Sequence, residues 1–343
     1  MSRTAVVLCN LGGPDRPESV KGFLRNLFED PAIIGLPQPW RGLLARLIAA
    51  HRAPRARAIY ERISGFSPLL ANTQSQATAL EAVLGPAFRC FVAMRYWHPL
   101  SDAAARAVHA WRPQRVVVLP LYPQFSTTTT GSSLAAWRRA AEAAGLAVPT
   151  AEIGCYPRAP GFVAALAGLV RRTLADLPPG CRYRILFSAH GLPERIIRAG
   201  DPYGWQVEET VAALRTALAI DDLDSVVCYQ SRVGPLTWIG PATIDEITRA
   251  GAEGRGLVVV PVAFVSEHSE TLVELDIEYR HLAERAGVPF YRRVLTVGTE
   301  PAFIAALAEL VRQAAGADGR SCCADGTPAC PAVFERCLAR RAA

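Results

Sequence analysis

Two of the six histidines in this chain stand where proton or metal chemistry is possible. His190 closes the apolar run Ile185-Leu-Phe-Ser-Ala-His and is followed by Gly191-Leu-Pro193. An imidazole at a strand end, before a Gly-x-Pro turn, can project into a crevice. Its near-neutral pKa suits it to accept a proton. A hydrogen-bonded structural histidine gives the same local pattern. His268 lies in Ser266-Glu-His-Ser-Glu270, and Glu270, Glu274 and Glu278 then recur every fourth residue. On a helix that spacing aligns three carboxylates along one face, opposite an apolar stripe of Leu272, Leu275, Tyr279 and Leu282. An amphipathic helix that shows its acids to water reads the same way. Like charges so spaced cost stability unless something offsets them, and carboxylates beside an imidazole are ligands for iron or zinc.

The nine cysteines fall into two groups of four and one that stands apart. Cys9, Cys90, Cys181 and Cys228 lie in or beside apolar runs and read as small buried hydrophobes of a reducing compartment. Cys322, Cys323, Cys330 and Cys337 crowd the C-terminal tail, and Cys155 stands alone near mid-chain. Such density in the tail points to a metal centre. The polar run Ser126–Ser133 is a helix start or an anion cradle. It lacks the P-loop lysine and the spaced glycines of a dinucleotide fingerprint, so both nucleotide readings are rejected. Asn10-Leu-Gly-Gly-Pro14 reads as a tight strand-to-helix turn. There is no Gly-x-Ser-x-Gly elbow, the usual hydrolase signature.

The elements that position these residues alternate in type. Strands are expected near Thr4–Asn10, Arg89–Met94, Arg115–Leu121, Val148–Gly154, Tyr183–Ala189, Ser225–Gln230, Leu257–Phe264 and Phe290–Val297. Helical patterns separate them, as at Thr73–Leu84, Asp102–Trp111, Leu134–Ala144, Gly161–Leu177, Val207–Ala219 and Glu270–Arg285. Strands alternating with helices imply α/β architecture with parallel sheets covered on both faces. Eight strands taken as four plus four give two similar Rossmann-like lobes, each a four-stranded sheet flanked by helices, with the active-site cleft between them. An internal echo supports duplication: Val116-Val-Val-Leu-Pro-Leu-Tyr-Pro-Gln-Phe-Ser126 resembles Leu257-Val-Val-Val-Pro-Val-Ala-Phe-Val-Ser266. Ligands of such folds sit at the carboxyl ends of the strands. The expected division is 1–155 for the first lobe, 156–314 for the second with the catalytic groups, and 315–343 for a Cys-rich tail. Residues 34–58 break the pattern. There an apolar segment through Leu36, Trp40, Leu43 and Leu47 runs into Arg52, Arg55 and Arg57. It reads as an ordinary packed helix, as a lip over an apolar acidic ligand, or as a patch for a membrane surface.

The chain has 343 residues, half of them hydrophobic, and a formal charge of +6 carried almost wholly by arginine, with Lys21 the one lysine. That composition excludes long disorder as the main state. The mild positive charge fits an acidic small molecule or an anionic membrane better than a nucleic acid. The longest apolar stretch, near Leu257–Val265, is far short of a bilayer span. No cleavable signal is evident at the N-terminus, so a cytoplasmic location is expected, with a peripheral contact at the inner membrane surface through the lip.

Several long motifs, in one order from about residue 5 to residue 311, closely resemble ferrochelatase. They are Leu11-Gly-Gly-Pro14, Ile63-Ser-Gly-Phe-Ser-Pro68, Arg95-Tyr-Trp-His-Pro99, Tyr122-Pro-Gln-Phe-Ser126, Ser188-Ala-His-Gly-Leu-Pro193, Gln230-Ser-Arg-Val-Gly-Pro235, Trp238-Ile-Gly-Pro241 and the run from Glu267 to Glu278. Glu267 stands where the family often has Asp, and Gly191 where small residues vary. The resemblance implies an enzyme that inserts ferrous iron into protoporphyrin IX in the terminal step of haem biosynthesis. It implies that His190 takes protons from the pyrrole nitrogens, that Glu270 faces it across the porphyrin, and that Glu274 and Glu278 continue a polar path. Iron would meet His190, Glu270, Glu274 and Glu278. Arg52, Arg55, Tyr60, Ser67 and Ser231 match positions that hold propionates or line the pocket, and Arg95, Tyr96 and Trp238 match its wall. Ordinary core packing would account for the aromatics equally.

Some family members carry a [2Fe–2S] cluster on C-terminal cysteines plus one internal cysteine. Here Cys155, Cys323, Cys330 and Cys337 could supply four thiolates, with Cys322 as an alternative ligand, and zinc on tail cysteines is the other reading. Two rival functions stand beside ferrochelatase: a chelatase for coproporphyrin III or another metal and tetrapyrrole, and a non-catalytic porphyrin or haem carrier. The chain is expected as a monomer or homodimer.

Overall fold

The computed structural model of the chain describes residues 3–232, 234, 236–316, 320–321 and 330–338. The chain divides into two units, one of residues 1–155 with 307–328 and 338–343, the other of residues 156–306 with 329–337.

The first unit is built on a parallel sheet of β1 (Thr4–Asn10), β2 (Phe88–Met94), β3 (Arg115–Pro120), β4 (Thr150–Ile153) and β9 (Arg320–Ser321), in the order β2-β1-β3-β4-β9. Its helices are α1 (Val20–Phe28), α2 (Trp40–Glu61), α3 (Leu69–Leu84), α4 (Ser101–Trp111) and α5 (Thr130–Ala143). The second unit has a parallel sheet of β5 (Tyr183–His190), β6 (Ser225–Gln230), β7 (Gly256–Pro261) and β8 (Tyr291–Arg293), in the order β6-β5-β7-β8. Its helices are α6 (Pro160–Ala175), α7 (Glu194–Arg198), α8 (Tyr203–Leu218) and α9 (Thr243–Ala252), then a π-helix, Glu270–Tyr279, that runs on as α10 (Arg280–Arg285). In α11 (Pro301–Gly316) the division falls at Ala306.

Both sheets wind alike. The second strand lies on one side of the first, and the third and fourth lie on the other. The switch point of such a sheet falls between its first and third strands, at their carboxyl ends. The echoing segments are these third strands, β3 and β7, and each ends in a proline, Pro120 and Pro261. Proline has no N–H to extend a ladder, so the strand stops there. The next residue then bonds back to the first strand, Leu121 N–H to the Cys9 carbonyl at 2.8 Å and Val262 N–H to the Ser188 carbonyl at 3.0 Å. β7 therefore ends three residues before the expected Phe264, and the polar loop begins sooner.

All eight expected strands form. The first sheet differs from the expected four strands because the two-residue β9, from the tail, pairs with the outer edge of β4. The Glu270–Arg285 helix differs in its first ten residues, which take the wider π turn. Residues four apart then fall just short of a full turn instead of just past it. The apolar face of this helix packs Leu275 and Tyr279 with Ala283 onto Leu186, Leu257 and Val259 of the sheet. Burial of these side chains holds the acidic face at the carboxyl end of the strands.

Candidate active site

Parallel pairing of β5 with β6 sets His190 beside Gln230, at the carboxyl ends of both strands. The loop after β7 brings the π-helix to the same end. Nδ1 of His190 lies 2.8 Å from Oε2 of Glu270, so the two are in direct contact and do not face each other across a macrocycle as the resemblance implies. His268 is buried, with its ring against Phe264 at 4.7 Å and its Nε2 3.9 Å from the same Glu270 oxygen. One carboxylate thus lies between two imidazoles, hydrogen-bonded to that of His190.

Behind Glu270 a second set of bonds fixes Glu274. The Ser231 N–H donates to its Oε1 at 2.9 Å, the Tyr279 hydroxyl donates to Oε1 at 2.9 Å, and Gln230 Nε2 donates to Oε2 at 3.1 Å. The Ser231 hydroxyl reaches both acids, bonding closely to Glu274 Oε2 and lying 3.4 Å from Glu270 Oε2. Ser231 holds φ at +63°, the left-handed region that non-glycine residues avoid. Strain of this kind persists where surrounding bonds over-determine a residue. Gln230 is itself held, with its Oε1 accepting from Ser188 at 2.9 Å. Glycine at 191 is explained by the same crowding, because a Cβ there would sit 2.9 Å from the Gln230 carbonyl oxygen.

The front of the π-helix is clamped from β8. Arg293, 5% exposed in its side chain, forks onto Asp276 at 2.6 and 2.7 Å and onto Glu267 at 2.8 and 3.0 Å. Glu267 also accepts from the Thr296 N–H.

This arrangement splits the acid strengths. Burial alone would lower the His190 pKa, but Glu270 and Glu274 outweigh it, so the imidazole is raised. Burial pushes Glu270 up, yet His190, His268 and Ser231 hold it down to about 2. Glu274 is raised by burial and by the neighbouring charge of Glu270. His268 is lowered, by burial and by His190. Glu278 is exposed at the far end of the same helix.

The family model described as ferrochelatase matches residues 3–315. The chain belongs to the ferrochelatase family. It is 52% identical over 347 residues to the ferrochelatase of Caulobacter vibrioides, covering 99% of each chain. The ferrochelatase of Phenylobacterium zucineum is also 52% identical, over 98% of each chain. Among solved structures, SirB from Bacillus subtilis with Fe3+ shares the fold, with a TM-score of 0.52 at 14% identity, covering 91% of this chain and 96% of that one.

Several ferrochelatase-motif residues lie in the first unit. Asp30, 3% exposed at the end of α1, accepts from Arg95 at 2.8 Å and from the Tyr96 hydroxyl at 2.7 Å, and Ser132 bonds to it closely. Tyr96 has no exposed surface. Tyr60 and Ser67 are buried beside the Leu11–Pro14 turn, where a Cβ on Gly13 would collide with Ser67. Arg52 stacks over Phe28 at 5.5 Å and is half-buried on α2, and Arg55 is exposed on the same helix. The Ser126–Ser133 run turns into α5, with Ser126 closing the turn through Thr128 and Gly131.

Trp238 pairs across a short bridge with Pro193, and its indole Nε1 is buried with no hydrogen-bond partner among the described residues. Cys155, Cys330 and Cys337 are buried, whereas Cys322 and Cys323 lie outside the described residues. Among the described residues no three His, Cys, Asp or Glu side chains form a group that could hold an ion. Sequence reasoning missed Gln230, Tyr279, Arg293 and Asp30 as site-forming residues. Only Gln230 carried a signal, its place as the first residue of a quoted motif.

Proposed function

We propose that this chain inserts ferrous iron into protoporphyrin IX, with His190 as the base for the pyrrole protons. The chain is a metal-inserting enzyme of the ferrochelatase family, with iron and a porphyrin as its substrates. The observation that carries the assignment of the base is the 2.8 Å contact of His190 Nδ1 with Glu270. With Nδ1–H donated to that carboxylate, the Nε2 lone pair is the acceptor. The raised pKa lets the imidazole keep a proton it takes. Glu270, held to about 2, stays charged, so it orients the ring and stabilises the imidazolium without carrying the proton. Glu274 has the raised pKa that proton carriage needs, and the Ser231 hydroxyl connects the two acids. Imidazole and carboxylates also suit ferrous iron as it sheds water. Glu278, exposed at the end of the row, is the outer station.

The choice of protoporphyrin rests on the lip. Leu36, Trp40, Leu43 and Leu47 are 43–63% exposed, an apolar rim that favours two carboxylates over four. Arg52, Arg55, Tyr60, Ser67 and Ser231 bind the propionates or line the pocket. Arg95, Tyr96 and Trp238 support its wall. The same apolar rim, with Arg46 and Arg55 beside it, is the part that touches the inner membrane surface of a cytoplasmic enzyme. Among the described residues no helix is long and apolar enough to cross a membrane.

The tail cysteines, with Cys155, are read as ligands of a [2Fe–2S] cluster, with zinc as the alternative. Thiolates are the ligand type such a centre takes, and Gln206 Nε2 donates to Cys330 Sγ at 3.1 Å, the kind of bond that tunes cluster sulfurs. Among the described residues, Cys155, Cys330 and Cys337 do not by themselves form an ion-holding group. When bound, the cluster would supply structural cross-linking. Iron and sulfide analysis with the visible spectrum of anaerobically purified protein tests this reading, and zinc without sulfide would replace it.

The deciding experiment mixes protein, protoporphyrin IX and ferrous iron anaerobically, at catalytic enzyme levels. Loss of porphyrin fluorescence with growth of the haem spectrum over many turnovers supports the proposal. Faster turnover of coproporphyrin III would move the substrate. Binding without turnover would leave a carrier.

A further inference from the structure

The tail does more in the second unit than end the chain. Residues 330–337 lie against the turn between α7 and α8 and the first turn of α8, and touch them at three points. The Arg336 N–H donates to the Gly200 carbonyl at 3.1 Å. Phe334 packs on Trp205 with ring centroids 5.9 Å apart. Gln206, fully buried, donates to Cys330 Sγ. Gly200 has φ at +88°, and a Cβ there would meet the Glu335 backbone N at 3.2 Å, so the tail backbone approaches as closely as glycine permits.

Tyr203 opens α8 between these contacts. Its N–H donates to Asp201 Oδ1 at 3.1 Å, and its hydroxyl donates to the His190 carbonyl at 3.0 Å. That carbonyl needs a partner from outside the sheet. The β5–β7 ladder stops at Ser188 opposite Pro261, two residues short of His190. The Gly191 N–H of the same peptide donates to the Gln230 carbonyl at 2.8 Å, so β6 holds one edge of the plane and the Tyr203 hydroxyl the other. Without that hydroxyl the carbonyl would be unpaired and the plane held from one edge alone. The plane sets the direction in which the imidazole leaves the chain.

We propose that Tyr203 is a positioning residue for His190, and that the tail segment 330–337 is a strap that holds Tyr203 in place. This rests on His190 being the base. The strap fixes the start of α8 at Gly200, Trp205 and Gln206, the start of α8 fixes the Tyr203 hydroxyl, and the hydroxyl fixes the carbonyl edge of the last peptide of β5. Orientation errors at a reacting centre cost rate without costing binding. The proposal therefore assigns the tail an effect on turnover independent of any substrate contact.

The test is a double-mutant cycle in the full-length protein with Tyr203→Phe and Phe334→Ala, read by kcat, porphyrin KM and Tm. Tyr203→Phe removes only the hydroxyl and is expected to lower kcat by about tenfold, with KM within roughly twofold of the parent. Phe334→Ala is expected to lower kcat in the same manner. If the strap acts through Tyr203, the double variant is no slower than the slower single variant. Multiplying effects, or a Phe334→Ala variant with parental kcat, would overturn the strap, and a Tyr203→Phe variant with parental kcat would overturn the positioning role, whatever its Tm. His190→Ala, measured alongside, separates the two readings. If it turns over normally the base assignment has failed, and if it is inactive while Tyr203→Phe is normal, only the positioning has.

Discussion

His190 Nδ1 and Glu270 Oε2, 80 residues apart in the chain, lie 2.8 Å from each other at the carboxyl end of the second sheet. The contact joins the end of the first strand of that sheet to the helix that follows its third, so it spans the switch point. It makes the imidazole a stronger base and the carboxylate a weaker one. Those two changes are what proton removal from a pyrrole nitrogen requires of a base and its orienting acid.

Replacing His190 with Ala removes the proposed acceptor and leaves Glu270 and Glu274 in place. Turnover is expected to fall by about 10²- to 10⁴-fold. Porphyrin binding, followed by fluorescence titration, is expected to stay close to the parental affinity. Normal iron insertion by this variant would show that another group takes the protons.

The pH dependence follows from the signs of the shifts. With His190 as the proposed base, turnover needs the neutral imidazole, so it falls on the acid side of the raised imidazole pKa. Glu270→Gln removes the first charge that raises it, so the acid limb of the kcat profile moves to lower pH. The stability effect has its own window. Glu270 is lowered from 4.5 to about 2, so its contribution is present above pH 4.5 and is lost as pH falls toward 2. His190 is raised from 6.5, so its contribution is complete below pH 6.5 and is lost as pH rises through the higher folded value. The windows overlap between pH 4.5 and 6.5, and there Glu270→Gln should lower Tm most. A difference in Tm that is flat from pH 3 to 8 would contradict the pairing.

The sequence is most legible where the pattern is local. Thr4–Asn10 and Ser225–Gln230 form with the expected ends because each is an apolar run bounded by turn residues. β7 is misjudged by three residues because the apolar run outlasts the ladder, which Pro261 ends. The repeat of Glu270, Glu274 and Glu278 identifies one helical face but cannot separate an α turn from a π turn, since residues four apart share a face in either. His190 and Glu270 are legible by type and place. Arg293 and Asp30 are not, because their meaning lies in partners 17 to 102 residues away. Ser231 is the intermediate case: its motif marks it as a porphyrin contact, whereas its hydrogen bonds run to Glu270 and Glu274.

Two substitutions at Ser231 separate its hydroxyl from its backbone. Both Ala and Gly lose the bonds from the side chain to the two acids, so both are expected to lower kcat several-fold. Only Gly relieves the left-handed backbone at φ +63°. Ser231→Gly should therefore be more stable than Ser231→Ala by about 1 kcal/mol, read by denaturant unfolding. Equal stabilities would mean that the backbone relaxes when the hydroxyl is removed.

Arg293→Met tests the clamp on the π-helix. The guanidinium is almost fully buried and forks onto both Asp276 and Glu267. Met fills much of the same volume but leaves two partly buried carboxylates without their cation. Removing one partner from such a network costs about 3–5 kcal/mol, which lowers Tm by roughly 9–15 °C in a unit of this size. The burden falls on Glu267, whose pKa is held down against burial chiefly by Arg293. Without Arg293 that carboxylate takes up a proton more readily, so the Tm deficit should shrink as pH falls and both forms protonate. Glu267 precedes His268 by one residue and Glu270 by three, so turnover should fall with stability. Arg293→Lys keeps the charge but cannot fork onto two acids, and it should lie between the parent and Met in both Tm and kcat. A Met variant with parental Tm and normal kcat would mean that the apolar face of Leu275 and Tyr279 alone holds the helix in place.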